Sequence, residues 1–558
     1  MSNPGPGAAN ISYRALQKRD PLAAEQALRK ELEQLIRLGT FRPTDPATVP
    51  SKYLQQSIPS LIVAALKQLE GGGDLVAKAR LVGRGDLQKK TPFAKTSSPT
   101  APTWAFYLLL AFAAQRGLKL RCMDVVCAYP NAAHVGEPVY MWVTRQISRI
   151  IVELRPDWAR FVQHDGRMLL HLEKALYGLR DAGLMWHNTL TETLVKKLHM
   201  QPVSVEPNVF LHGNDYLLKY VDDLALFYRD QAVADKTLRD LRAIFTEGVK
   251  SKDGDTTFLG LHVEQLPRDP SVFLISQPKQ TARLLADYGH VPKPRWKTPT
   301  PARLNLLDPD DSLSVDPKPY LEILGKVSYL KATRPDIAAT LSILQTFCSR
   351  PTKLRMADAH RLVWYLLSTD KYGLVIAPSE SVTVDAAADA SFLIHEDARS
   401  HGGFIITFAG TPIAWGSSKI DMITKSSTLA ELYQAERSLT AIDETRDLTE
   451  ELCKTKLPPS RLLQDNMSTM QLAINGFGKA TKSKPWQIRT ENLKAHLEDG
   501  SITLRYQHTA KMAADGLTKI LPPGEFEVFR ARLNVFDLRQ VRLRGRAALA
   551  SHGGVLGM

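Results

Sequence analysis

Two adjacent aspartates, Asp222 and Asp223, interrupt an otherwise apolar stretch that reads YLLKYVDDLALFY from Tyr216 to Tyr228. The arms are short and rich in Leu, Phe and Tyr, so they are expected to pair as buried strands with the two acids at a hairpin tip. Like charges held side by side repel, and the pair needs either open solvent or a cation. Taken alone, a solvated turn explains it. A second strand-like segment, Lys119 to Tyr129, sets Asp124 between apolar neighbours. An unpaired carboxylate buried there would cost several kcal/mol, so Asp124 needs a partner: a metal, or a backbone or arginine contact. Three carboxylates gathered at one sheet edge can hold two Mg2+ ions, which in phosphoryl transfer activate the attacking oxygen and neutralise the leaving pyrophosphate.

The rest of the chain must support such a site. At 558 residues it is too long for one hydrophobic core, and about three to five packed units are expected. An apolar fraction of 44% with 23% charged residues fits a globular protein rather than a disordered or fibrous one. Lysine plus arginine exceed aspartate plus glutamate by 72 to 58, which suits a polyanionic partner such as nucleic acid or else a solvated basic surface. The opening MSNPGPGAAN has no basic start and no apolar stretch, and the longest apolar run, within Trp104 to Ala114, is too short to span a bilayer. An intracellular chain with no membrane partner is expected. Cys122, Cys127, Cys348 and Cys453 form no CxxC pair and are read as reduced thiols.

The spacing of Leu28, Leu32, Leu35 and Ile36 predicts a helix opened by Asp20 and Pro21 and closed at Gly39. Gly71-Gly72-Gly73-Asp74 reads as a hairpin turn before a strand from Leu75 to Val82. The proline-dense segment Pro292 to Pro301 is read as a linker, and a second break falls at Ala377 to Ser381. Beyond it come alternating strands, Val382 to Asp389, Gly403 to Phe408 and Pro412 to Trp415, which start a separate α/β unit. In that unit Asp389 (AADAS) ends a strand, Glu431 (SSTLAELYQAE) lies on a helix, Asp465 (LLQDNMS) follows a strand and Asp515 (KMAADGLTK) precedes a final helix. Each acid alone is as readily a cap or a solvated charge.

Asp124 with the Tyr220-Val221-Asp222-Asp223 hairpin resembles motifs A and C of reverse transcriptases. Further blocks resemble the copia-type LTR retrotransposon enzymes in particular: KARLVGRGDLQ from Lys78 to Gln88, KALYGLRDAGLMW from Lys174 to Trp186, FLGL from Phe258 to Leu261, and YLEILGKVSYLKATRPDI from Tyr320 to Ile337. The ordered set Asp389, Glu431, Asp465 and Asp515 on a βββαβα pattern resembles a ribonuclease H site. The resemblance runs from about Asp20 to Pro523 and implies an α+β multidomain fold: a right-hand polymerase of fingers, palm and thumb, then a connection region and an α/β ribonuclease H-like domain. The implied divisions are a lead at 1–19, fingers, palm and thumb at 20–291, linker and connection at 292–380, ribonuclease H at 381–523, and a C-terminal tail at 524–558.

The resemblance also implies roles. Asp124, Asp222 and Asp223 would hold one pair of Mg2+ ions and Asp389, Glu431, Asp465 and Asp515 another, with Mn2+ as a substitute. Lys78, Arg80 and Arg84 would neutralise the deoxynucleoside triphosphate, as their charge and donor geometry allow. Tyr129 would be the gate against a ribose 2′-hydroxyl, and Tyr177 and Gly178 would pack near the incoming base. Phe258, Leu259 and Gly260 would form the primer grip, and His508 would assist product departure as a proton shuttle. Trp186 is read as core packing. The partners implied are an RNA template, a DNA primer, the RNA–DNA hybrid, and the capsid and integrase of the element, in a cytoplasmic virus-like particle or the nucleus. Two departures from the family pattern are Gly183, often proline, and Leu429, often glutamate.

No zinc-knuckle, DTG or DSG protease, or HHCC integrase pattern is read in the chain, so it is expected to be a processed product, a piece of a longer reading frame or a truncated copy. The competing readings are a catalytically silent remnant that only binds nucleic acid and, disfavoured by the ribonuclease H set and the aromatic gate, a viral-type RNA polymerase.

Overall fold

The computed structural model describes residues 8–68, 75–89, 96–289, 295–301, 313–476 and 483–550. The first layer forms around the predicted opening helix, Pro21–Arg37. Asp20 caps it by accepting from the Ala23 amide at 2.9 Å, Leu28, Leu32 and Leu35 are buried, and Gly39 leaves the helix at φ +64°. This helix packs on a six-stranded sheet in which Ile58–Gln68 pairs with Leu75–Gly83, Ala8–Ser12 and Val139–Val143, and Met168–Leu172 and Phe41–Thr44 continue the order. The expected Gly71–Asp74 turn lies outside the described residues.

A second six-stranded sheet carries Asp124 and the aspartate hairpin. Its strand order is Val249–Asp253, Lys119–Val125, Asp223–Tyr228, Asp215–Tyr220, Val209–His212 and Gln201–Pro202. Alternation along the strands splits the core in two. Met123, Val125, Leu224, Leu226 and Tyr228 face the helices Ala182–Glu192 and Gln231–Ile244. Leu120, Cys122, Ala225 and Phe227 face the helix Thr103–Arg116, which is buried all round from Ala105 to Ala114. That apolar run is a core helix, and among the described residues no helix is long and apolar enough to cross a membrane.

A five-stranded sheet follows, ordered Asp255–Phe258, Leu261–Gln265, Phe273–Ser276, Tyr372–Ile376 and Val535–Asp537. Residues 524–550, read from sequence as a tail, thus return to the sheet. Val535 pairs with Leu374, and Arg542 and Arg546 bind Glu264 and Asp269 at 2.7 Å each. The described part of the expected linker is packed as well, with Trp296 lying 3.7 Å from the Arg361 guanidinium. The block ending at Ile337 buries an ion pair, Arg334 to Asp336 at 2.8 Å, closed by the Tyr365 hydroxyl donating to Asp336 and by Thr369. Burying both charges is tolerable because each finds several partners.

The last unit is a five-stranded sheet ordered Thr411–Lys419, His401–Phe408, Val384–Ser391, Ser460–Gln464 and Ile502–Tyr506, with its last three strands parallel. The three predicted strands are all present, displaced or extended at their ends by up to four residues. The long helix Ser427–Cys453 crosses the sheet. Phe408 and Trp415 stack on Phe112 and Tyr107 at ring separations of 4.6 and 5.5 Å, so this unit shares its core with the aspartate-bearing sheet.

Candidate active sites

The hairpin forms where the sequence puts it. Tyr220 pairs with Asp223, leaving Val221 and Asp222 as a two-residue turn, and Val221 takes φ +54°. A positive φ at the first turn position alone is the type II′ pattern usually given to glycine, and a β-branched residue there is strained. The strain is held from outside: the Trp186 indole, buried in the core, donates to the Val221 carbonyl at 2.6 Å. Trp186 also meets Phe245 edge-on at 5.5 Å. The core-packing reading is therefore right about its burial and missed its polar atom.

Strand register then brings the acids together. Asp223 lies directly opposite Asp124, Lys250 lies opposite Asp124 on the other side, and the Val125 amide donates to the Asp222 carbonyl at 3.0 Å. Directly paired residues leave the same sheet face, so Lys250, Asp124 and Asp223 form one row. Burial and then the Asp222 and Asp124 charges push the Asp223 carboxyl up to about 7. Burial and Asp124 also raise Asp222, against the opposing fields of Arg80 and Lys78. Mutual repulsion of this kind makes a row receptive to divalent cations. Lys250 was not singled out in the sequence, where it is one lysine of an unremarkable VKSKD strand.

Of the expected nucleotide contacts, Lys78 and Arg80 share one face of their strand and their fields reach Asp222, whereas Arg84 is exposed and paired to Asp86 at 2.7 Å. The Arg80 guanidinium sits 4.7 Å over the Tyr177 ring, which meets Tyr129 edge-on at 5.1 Å. Gly178 permits a close approach, but to the neighbouring strand: a Cβ there would lie 2.3 Å from the Gly83 carbonyl oxygen, and its φ is +88°. Gly183 is under no such constraint, since a Cβ would meet only Ser98 at 3.6 Å, and the helix starts at Ala182 regardless. Phe258 pairs with Leu261 across a turn in which Leu259 and Gly260 both have positive φ, a type I′ hairpin, and Phe258 itself is buried against Phe106 at 4.7 Å.

In the C-terminal unit, Asp389 lies on the central strand, Glu431 on the crossing helix and Asp465 just after a parallel strand. These three bring one oxygen each within 4.8 Å of one another, and no other group of three or more acidic, histidine or cysteine side chains among the described residues converges this tightly. The palm acids, though adjacent in register, do not close to that degree. Burial pushes the Asp389 carboxyl up to about 6, with Lys519 and Thr518 opposing. Glu431 is raised by burial and then by Asp389 and Asp465, and its buried Oε2 has no hydrogen-bond partner. An orphaned carboxylate oxygen in a converging triad suits a divalent cation.

Asp515 stands outside this tight triad, although its charge acts on Asp389. It lies on the turn Asp515–Leu517 and pairs with Lys519, whose ammonium also sits 3.7 Å from Asp389, and the Thr518 hydroxyl donates to Asp389. His508 is exposed, its Nδ1 accepting from the Ala510 amide at 3.1 Å, and it touches none of the acids, while Thr509 beside it donates to Asp465 at 2.7 Å. Lys519 and Thr518 went unnoticed although they end the quoted KMAADGLTK block, because a charge at a helix approach looks solvated.

A family profile described as reverse transcriptase (RNA-dependent DNA polymerase) matches residues 49–300. The Pol polyprotein of transposon RE1 from Arabidopsis thaliana is 27% identical over 82% of this chain and 30% of its own length. That of transposon TNT 1-94 from Nicotiana tabacum is 25% identical over 90% of this chain and 37% of its own. The chain thus spans roughly a third of the length of these curated relatives. Among solved structures, a foamy viral protease–reverse transcriptase in complex with double-stranded DNA aligns with a TM-score of 0.46 at 13% identity, over 90% of this chain and 70% of that one. Residues 49–300 thus match a reverse transcriptase domain, and over most of its length the chain is similar to copia-type retrotransposon Pol polyproteins.

Proposed function

We propose that the chain is an RNA-directed DNA polymerase whose C-terminal unit cleaves the RNA strand of the hybrid it makes. The observation that carries the reading is the Asp124–Asp223 register, with Asp222 on the adjoining turn, inside a reverse transcriptase domain. Asp124, Asp222 and Asp223 would hold Mg2+ at the first site, and Asp389, Glu431 and Asp465 at the second. When bound, such ions lower the barrier by stabilising charge on the attacking and leaving oxygens.

The residues of the chain supply the rest. Lys78 and Arg80 direct positive charge at Asp222, where they would meet the deoxynucleoside triphosphate, and Lys250 adds a cation beside Asp124. Tyr129, held edge-on against Tyr177 and within the field of Asp222, would be the barrier to a ribose 2′-hydroxyl. The Leu259–Gly260 turn offers backbone donors and acceptors to the primer strand. A formal net charge of +14 favours backbone contacts to primer and RNA template.

Primer extension with the purified chain tests this. A DNA primer on an RNA template should be lengthened with deoxynucleotides in a Mg2+-dependent way, and Tyr129→Val should raise ribonucleotide incorporation at least about tenfold relative to deoxyribonucleotide. Salt-sensitive binding with no incorporation at any Mg2+ concentration would identify a silent nucleic-acid binder instead.

A further inference from the structure

The ammonium of Lys519 is placed among acids that the ribonuclease H reading assigns to metal ions. It pairs with Asp515 and lies 3.7 Å from Asp389 Oδ2, the oxygen that also accepts from the Thr518 hydroxyl. Asp389 therefore has two sets of neighbours. It joins Glu431 and Asp465 in the converging triad, with Glu431 only 5% exposed and its Oε2 unpartnered. It also meets Lys519 and Thr518.

We infer that Lys519 is a built-in, exchangeable cation: one divalent ion binds at Asp389, Glu431 and Asp465 with Lys519 in place, and a second must displace its ammonium from between Asp389 and Asp515. This inference rests on the reading of the unit as a metal-dependent nuclease. Two cations cannot share one carboxylate edge without repulsion, so entry of the second ion is coupled to departure of the ammonium. The exchange moves no proton. The side chain is 40% exposed, which leaves the ammonium a path to solvent or to a phosphate of the hybrid. Lys519 is thus a positioning residue that sets how tightly the second ion binds.

The test uses the full chain with Asp124→Asn, Asp222→Asn and Asp223→Asn, so that the palm contributes no site, and counts bound Mn2+ by electron paramagnetic resonance. The first ion should be lost in Glu431→Gln, and the second should bind at least about tenfold more weakly than the first. Lys519→Met should bring the second ion to within about threefold of the first, whereas Lys519→Arg, which keeps the cation, should not. An unchanged second affinity in Lys519→Met overturns the inference. Absence of the first ion, or its indifference to Glu431→Gln, overturns the nuclease reading beneath it. On the unsubstituted chain, acylation of Lys519 by an N-hydroxysuccinimide ester, read by mass spectrometry, should be slow without divalent ion and rise with the second ion rather than the first. Reactivity that does not change overturns the inference independently of any variant.

Discussion

The conformation of Val221 is maintained by an atom far from it in sequence. With φ at +54° it prefers other backbone conformations, and the indole N–H of Trp186 is what its carbonyl meets. Trp186→Phe keeps most of the packing and removes the donor, leaving a part-buried carbonyl without its partner at a cost of about 1 kcal/mol. On the proposed function, the expected outcome is a fall in kcat for primer extension with hybrid cleavage retained, because Trp186 packs in the core cluster that excludes the C-terminal unit. Equal loss of both activities would point to general unfolding. Gly178 is bound by sterics instead, as its φ of +88° and the Gly83 carbonyl leave no room for a methyl group. Gly178→Ala should destabilise the chain by roughly 2–4 kcal/mol, read as a shift in the urea midpoint. That Gly178 needs close approach is legible in the sequence, but not what approaches it. The role of Trp186 is illegible there, because the direction of a donor has no periodicity.

Strands long enough to alternate can be read from residues alone, and short ones cannot. The aspartate hairpin and the central strand of the C-terminal unit show their apolar pattern plainly, whereas Val535–Asp537 has three residues and reads as tail. One sheet also contains a chain of polar groups that no pattern announces. The Ser417 hydroxyl donates to the Leu517 carbonyl at 2.7 Å, so it must accept from His401 Nε2 at 2.8 Å, and neutral His401 then accepts from His395 at 3.1 Å through Nδ1. The chain ends on the loop that carries Asp515. Burial and then the neighbouring Lys419 push His395 down to about 4, and burial, His395 and Lys419 push His401 down to about 3; Asp397 opposes at His395. Both histidines bind a proton more readily when unfolded, so their contribution to stability is lost as pH falls from about 6.5 toward their folded values. Between pH 7 and 5 the chain should lose about 4 kcal/mol more than a His395→Asn, His401→Asn variant, about 2 per histidine. Urea unfolding at the two pH values checks this, and identical slopes would mean that the pair does not titrate as its burial requires.

The aspartate-bearing sheet and the C-terminal unit are not separate bodies joined by a string. The helix Thr103–Arg116 is buried on every face from Ala105 to Ala114 because the palm sheet covers one side and the C-terminal sheet another, with Phe112 on Phe408 and Tyr107 on Trp415. Glu451, near the end of the long helix Ser427–Cys453, accepts from the Ser204 amide in the palm at 2.7 Å. Phe408→Ala opens a cavity in this shared core and should cost about 3–5 kcal/mol. Hydrogen exchange should speed up in the Thr103–Arg116 helix as well as in the sheet that bears Phe408, whereas a response confined to one unit would mean the cores are independent. The sequence shows an apolar run but not two partners for it, since burial on all sides looks the same whatever does the burying.

The central claim is that two carboxylate sets perform two separable phosphoryl-transfer reactions. A crossed comparison measures it directly: primer extension and hybrid cleavage, each assayed with Asp222→Asn and with Glu431→Gln in the full chain. Asp222→Asn should abolish Mg2+-dependent extension and spare cleavage, and Glu431→Gln should do the reverse. Extension that survives Asp222→Asn, or cleavage that survives Glu431→Gln, would contradict the account.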